Sequence, residues 1–219
     1  MKNHNKLNTS LILNKSSSYA VEQSTSNSFK LMLNAGKLAA KHIFSNYKKL
    51  KTLIICGTGG NGGDGFVVAN ELLKKNWKIE VAIIGNQNKI KGDTLKALNR
   101  LKITPRNFED INLNEIELFV DALFGIGLSR NIDKKSQKIL SLIDKHKAPI
   151  VAIDIPSGID SNSGEILGYA PYCELVITFS SLKYGHVLIP GSQKCKTIKV
   201  EDIGIDKTVL ENIFPKINI

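Results

Sequence analysis

The sequence predicts an α/β fold, a three-layer αβα sandwich on a Rossmann-like, mostly parallel sheet. Three observations carry this. Short apolar runs alternate with amphipathic helical patterns from residue 29 to residue 158, as βαβ units require. Those runs are near-continuous, which suits strands covered on both faces. The 219 residues, 42% of them hydrophobic, suffice for one domain with a single core.

In chain order, residues 29–47 place Leu31, Ala35, Leu38 and Ile43 at roughly helical spacing. Residues 53–56 read as a buried strand, 66–76 as a helix and 77–85 as a second strand. A helix over 92–103 aligns Leu95, Leu98 and Leu101. Residues 117–125 form a third strand, 136–147 a third crossover helix, and 150–158 a fourth strand with an irregular end. Further strands are expected at 175–181, 186–191 and 196–205. Residues 1–19 contain no acidic group and no continuous apolar region, and read as a flexible leader to a domain over 20–219.

The net charge is +10, from 30 basic and 20 acidic residues, and Arg100, Arg106 and Arg130 are the only arginines. A lysine-, asparagine- and isoleucine-rich chain can reflect AT-rich coding; alternatively, its positive field attracts an anionic ligand such as a dinucleotide. No arginine-rich run or aromatic RNA-binding pattern occurs, so nucleic acid is not the expected partner. The cysteines, Cys56, Cys173 and Cys195, are odd in number and form no C-x-x-C pair. That argues against a disulfide framework or zinc and for a cytoplasmic, reducing setting. No apolar stretch reaches the ~18 residues of a membrane span.

Ligands of such sheets bind beyond the C-terminal strand ends. Four ends are unusual here: CGTGGNGGDG (56–65), VDALFGIGLSR (120–130), IDIPSGID (153–160) and TFSSLKYG (178–185). The first holds six glycines within residues 57–65, costly unless something approaches that backbone. Gly57, Gly59 and Gly62 fit G-x-G-x-x-G, a weak signal alone. The acid that grips a ribose hydroxyl is missing, since the second strand ends Ile84-Gly85-Asn86-Gln87. No Gly-Lys-Ser/Thr follows, which rules out a P-loop. What is left is a glycine loop able to offer N–H groups to a phosphate.

Asp64 there caps the helix, faces away, or helps hold a cation. Asp121 ends an apolar strand, where a carboxylate needs a hydrogen-bonded partner or a cation. Pro156 and Gly158 shape a rigid turn that projects Asp154 and Ser157, and Asp154 is the candidate for proton transfer. Asp160 reads as a turn residue, and Lys183 as an anion-positioning or a solvated lysine. His42 and His146 fall in amphipathic helices, while His186 adjoins Lys183.

In this order, GNGGDG, VDALFGIGL, DIPSGID-x-x-x-G and TFSSLKYGHVLIPG resemble the NAD(P)H-hydrate epimerase family, the YjeF N-terminal domain family. LMLNAG (31–36) resembles its N-terminal helix motif, and the likeness covers residues 20–206. The resemblance implies an isomerase, usually a homodimer, that interconverts the R and S forms of NADH and NADPH hydrated at C6 of the nicotinamide ring. A separate NAD(P)HX dehydratase then acts on the product. It assigns substrate binding to Gly60, Asn61, Gly62, Gly63 and Asp64, to Gly125, Ile126, Gly127, Leu128, Ser129, Arg130 and Asn131, and to Asp154. It assigns one potassium ion (K+) per subunit to Asn61, Asp121 and Ser157, oxygen ligands that suit a hard cation. Arg130 or Lys183 would aid the pyrophosphate, and Asp154 would be catalytic. The family usually has two asparagines where this chain has Gly60-Asn61, so one side-chain contact to substrate is lost. Two alternatives are a non-catalytic nucleotide- or RNA-binding scaffold of the same fold, and an ordinary NAD(P)-dependent oxidoreductase. The missing acid and the lack of a Tyr-x-x-x-Lys pair argue against the latter.

Overall fold

The near-continuous apolar runs become the interior of one parallel sheet. The computed structural model describes residues 12–24 and 27–205. Its strands are β1 (Ile12–Leu13), β2 (Thr52–Cys56), β3 (Ile79–Ile83), β4 (Leu118–Ala122), β5 (Ile150–Ile153), β6 (Leu175–Phe179), β7 (Leu182–Lys183) and β8 (Ile198–Glu201). Six of them form a sheet in the order β3-β2-β4-β5-β6-β8, every pair parallel. All residues of β2, β4, β5 and β6 are buried, as helices on both faces demand. The chain runs outward from β2 to β3 and returns on the other side of β2 as β4. That reversal opens a crevice beyond the ends of β2 and β4.

The helices are α1 (Lys15–Gln23), α2 (Ser28–Asn46), α3 (Gly60–Leu73), α4 (Gly92–Asn99) and α5 (Lys134–Asp144). One core joins α2 and α3 to the sheet through Ile43, Phe66, Leu72, Ile54 and Val120. The other joins α5 to the opposite face through Leu140, Ile143, Ile55 and Phe119. Each such side chain removed from water contributes about 1.5–3 kcal/mol. Asn27 caps α2 by accepting from the Lys30 N–H, and Asp133 caps α5 by accepting from the Ser136 N–H. The helices α2 and α3 approach closely because Gly36 has no side chain; a Cβ there would lie 2.4 Å from that of Val67.

Three expectations need correction. The helix expected at residue 66 starts at Gly60, inside the glycine loop. Glycine costs up to about 1 kcal/mol in a helix, but here side chains would have prevented the packing. A Cβ on Gly62 would lie 1.9 Å from the Gly57 carbonyl oxygen, and one on Gly57 2.0 Å from that of Leu123. Second, residues 186–191 are not a strand: they run from the end of one short 3-10 turn, Tyr184–His186, to the start of another, Gly191–Lys194. The His186 side chain turns inward to bond backbone groups, which a straight strand would not permit. Third, the leader boundary falls inside α1. β1 pairs with β7, and Leu13 is buried. The polar run KSSSYAVEQ carries no apolar periodicity to announce it. Residues 1–11 of that leader lie outside the described residues. Among the described residues no helix is long and apolar enough to cross a membrane.

Candidate active site

A cavity of about 630 Å³ lies at the crevice between the ends of β2 and β4 and reaches Asp154 beyond β5. The glycine loop supplies its floor. Four of the six glycines, Gly57, Gly62, Gly63 and Gly65, are pressed against protein atoms, so a Cβ would collide. Gly59 and Gly60 face open space, and both line the cavity. The backbone therefore is approached, mostly by the protein itself. Gly59 is the N-cap of α3. Asp64 is consequently not the cap; it sits within the helix and lines the cavity.

Asp154 follows β5 with φ of +67°, a left-handed conformation that costs a non-glycine residue about 1 kcal/mol or more. Its N–H donates to Ile177 O at 2.7 Å, which anchors it on β6. Oδ1 accepts from Lys183 Nζ at 2.7 Å and from Thr178 Oγ1 at 3.1 Å. Oδ2 lies 3.4 Å from the Ile126 N–H, at the cavity. Burial opposes the charge of this carboxyl. The adjacent Lys183 ammonium outweighs it and holds the carboxyl below the usual carboxylate range.

Lys183 is itself buried, and its Nζ also donates to Thr178 Oγ1 at 2.6 Å and Phe179 O at 3.1 Å. It does not line the cavity. The expected substrate contact for Lys183 is thus replaced by an ion pair with Asp154. His186 locks the same corner. Its Nδ1 accepts from the Lys183 N–H, so Nε2 carries the hydrogen and donates to Asp154 O at 2.9 Å. Burial, with the Lys183 charge, pushes its pKa down to about 4. It is a neutral brace.

Asp121 and Ser157 meet directly, both fully buried. Asp121 Oδ2 accepts from the Ser157 N–H at 2.8 Å, and Oδ1 from Ser157 Oγ at 2.6 Å and the Leu123 N–H at 3.2 Å. Ser157 Oγ also accepts from the Phe124 N–H at 2.8 Å. Burial pushes the Asp121 pKa up, partly offset by those Ser157 and Leu123 bonds. No described cation pairs with it. Asn61 is more exceptional: Oδ1 and Nδ2 are both buried with no hydrogen-bond partner. Such orphans are costly and rare. A Cβ on Gly125 would lie 3.2 Å from Asp154 Oδ2 and 3.3 Å from Asn61 Cβ, so the bare glycine lets these groups converge.

Of the expected substrate-binding residues, Gly60, Asn61, Asp64, Gly125, Ile126, Gly127, Leu128, Ser129, Arg130 and Asp154 line the cavity. Gly62, Gly63 and Asn131 do not; the two glycines pack against Gly57 and Met32. The sequence reading missed, among others, Tyr19, Ser28, Asn86, Lys89, Asp93 and Phe179, which also line the cavity. The LMLNAG match was the available pointer to one wall, since Leu31, Met32 and Ala35 line it.

The fold and site define a Rossmann-like α/β domain with a switch-point cavity and a buried carboxylate–lysine pair at one end. Residues 28–185 match the family described as YjeF-related protein N-terminus, and the chain belongs to that family. It is 33% identical over 178 residues to the NAD(P)H-hydrate epimerase of Anaerococcus prevotii, a match covering 76% of this chain and 81% of the relative. It is 33% identical over 158 residues to the NAD(P)H-hydrate epimerase of Weissella koreensis, covering 71% of each. It is 29% identical over 219 residues to the Bifunctional NAD(P)H-hydrate repair enzyme Nnr of Salinibacter ruber, covering 90% of this chain. The match spans only 40% of that bifunctional relative's length. The crystal structure of yeast ynu0, YNL200c, superposes with a TM-score of 0.76 at 19% identity, covering 93% of both chains, a likeness of fold.

Proposed function

We propose that the chain is an NAD(P)H-hydrate epimerase, acting on NADH or NADPH hydrated at C6. The observation that carries this reading is the Asp154 carboxylate, with Oδ1 tied to Lys183 and Oδ2 turned to the cavity beside Asn61 and Gly125. The activity for which the epimerase relatives are named and the shared family support it. No structural observation favours the RNA-binding scaffold.

Because Asp154 is held ionised, it starts the cycle as a base. It takes the proton of the C6 hydroxyl. The N1–C6 bond breaks as C6 becomes a carbonyl, with the electron pair going to N1 and its conjugated ring remnant. N1 then re-adds to the opposite face of C6, and Asp154 returns the proton to the oxygen. Loss of hydroxide would instead need an acid at the C6 oxygen, which an ion-paired carboxylate does not supply. The free N–H groups at the start of α3 suit the pyrophosphate, with Arg130 at the rim.

The donor set fits potassium. Asn61 Oδ1 is an orphaned buried acceptor, and Asp121 is a buried carboxylate with only neutral donors around it. Asn61, Asp121 and Ser157 would hold the ion, which would supply a fixed positive charge to the site. A homodimer and a partner dehydratase follow from the family reading. Incubation of R-NADHX with the purified chain, with and without potassium, and chromatography of the epimers tests the function. Failure to equilibrate R and S faster than the spontaneous rate would refute it.

A further inference from the structure

The N-terminal segment touches three separate pieces of the chain, one of which, the loop after β4, lines the cavity. β1 pairs with β7, placing Leu13 opposite Lys183, the partner of Asp154. The backbone N–H of Lys15 donates to Asn162 Oδ1 at 2.7 Å, in the loop after β5. The Lys15 ammonium donates to the carbonyl oxygens of Gly127 at 3.0 Å and Leu128 at 3.2 Å, in the loop after β4. Tyr19, a turn further along α1, lines the cavity, and a Cβ on Gly127 would lie 2.9 Å from its hydroxyl.

We propose that Lys15 is a positioning residue of the site: its ammonium clamps the 125–130 loop against the N-terminal segment, so that Ile126, Ser129 and Arg130 face a bound ligand beside Asp154. Two glycines make this loop intrinsically loose. Other hydrogen bonds that hold it are long: Leu128 N–H to Gly125 O at 3.2 Å, Ser161 Oγ to Ile126 O at 3.4 Å, and Ile126 N–H to Asp154 Oδ2 at 3.4 Å. The first two are neutral and the third is long at 3.4 Å, whereas the bonds from the Lys15 ammonium are charge-assisted and shorter, at 3.0 and 3.2 Å. The loop thus takes its shape from a segment more than a hundred residues away in sequence. Tyr19 fills the space that the absent side chain of Gly127 leaves, so clamp and wall arrive together.

The kinetic arm of the test rests on the epimerase reading; the exchange arm does not. Full-length wild type, Lys15→Met and Lys15→Arg are compared. Amide hydrogen exchange over residues 125–131 should speed up about tenfold in Lys15→Met and stay near wild type in Lys15→Arg. KM for R-NADHX should rise about tenfold in Lys15→Met, with kcat within a few-fold, and return in Lys15→Arg. Unchanged exchange and KM in Lys15→Met would overturn the clamp. A wild type without turnover, whose loop nonetheless loosens in Lys15→Met, would sink the epimerase reading and leave the clamp standing. Should Lys15→Met fail to fold, Lys15→Gln, which keeps a neutral donor, decides: an intermediate KM and exchange rate support the clamp, and wild-type values overturn it.

Discussion

Lys183 Nζ lies 2.7 Å from Asp154 Oδ1, and the two side chains are only 4% and 13% exposed. This pair fixes the orientation and favours the charged form of the carboxylate at the cavity. It holds the carboxyl below the usual carboxylate range against the upward push of burial, and it commits one oxygen to the protein while the other faces the cavity.

Asp154→Asn should lower kcat by roughly 100- to 10,000-fold, the range for loss of a positioned base. It should also destabilise the fold by about 3 kcal/mol, because the Lys183 ammonium loses its counter-charge in a buried site. Adding Lys183→Met should recover most of that stability and none of the turnover. Denaturant titrations and epimer chromatography of the single and double variants check both parts. A wild-type rate in Asp154→Asn would remove the proton-transfer role.

Ring opening and dehydration leave different isotopic records. If Asp154 acts as a base and N1–C6 opens, the C6 oxygen stays with the molecule. Epimerisation in ¹⁸O-water should then invert C6 with far less label uptake than turnover. Mass spectrometry of the product reads this, and one label incorporated per inversion would mean that the C–O bond breaks.

Potassium should stabilise the chain, since an ion that binds the folded state adds about 2.7 kcal/mol at a hundred times its Kd. Tm should be higher in potassium chloride than in choline chloride at equal ionic strength. Asp121→Asn and Asn61→Leu should each abolish the difference. An equal Tm in both salts for the wild type would count against the ion.

His186 predicts an acid-side loss of stability. Its pKa falls from 6.5 to about 4 on folding, because burial and Lys183 disfavour the imidazolium. The unfolded chain therefore binds the proton more readily. The stabilisation is complete above pH 6.5 and is lost as pH falls toward about 4, a span worth about 3 kcal/mol. His186→Asn, which keeps an acceptor for the Lys183 N–H, should flatten the unfolding profile between those values. An unaltered profile would show that other groups dominate it.

The glycines should divide sharply. Gly62→Ala forces a Cβ to within 1.9 Å of the Gly57 carbonyl and should cost several kcal/mol or prevent folding. Gly60→Ala meets nothing within 4 Å and should leave stability unchanged or raise it by up to about 1 kcal/mol through helix propensity. Thermal unfolding of the two variants is the measurement, and equal losses would refute the packing account.

The sequence by itself determined the sheet and the chemical inventory. Apolar periodicity marks which faces are buried, so the strands near residues 53–56, 117–125 and 150–158 and the crossover helices were legible. So were the four loops and Asp154, because costly residues at strand ends stand out locally. Only the tertiary structure decided what those residues meet. That Asp121 takes Ser157, that Lys183 turns inward to Asp154, and that Lys15 holds Gly127 depend on which strands become neighbours and how their ends approach. The glycine run shows the same limit: composition says that something comes close, and coordinates show it is mostly the Leu123 carbonyl, Met32 and the loop's own backbone. Periodicity records a residue's exposure to water, whereas partner choice is a through-space property of segments far apart in sequence.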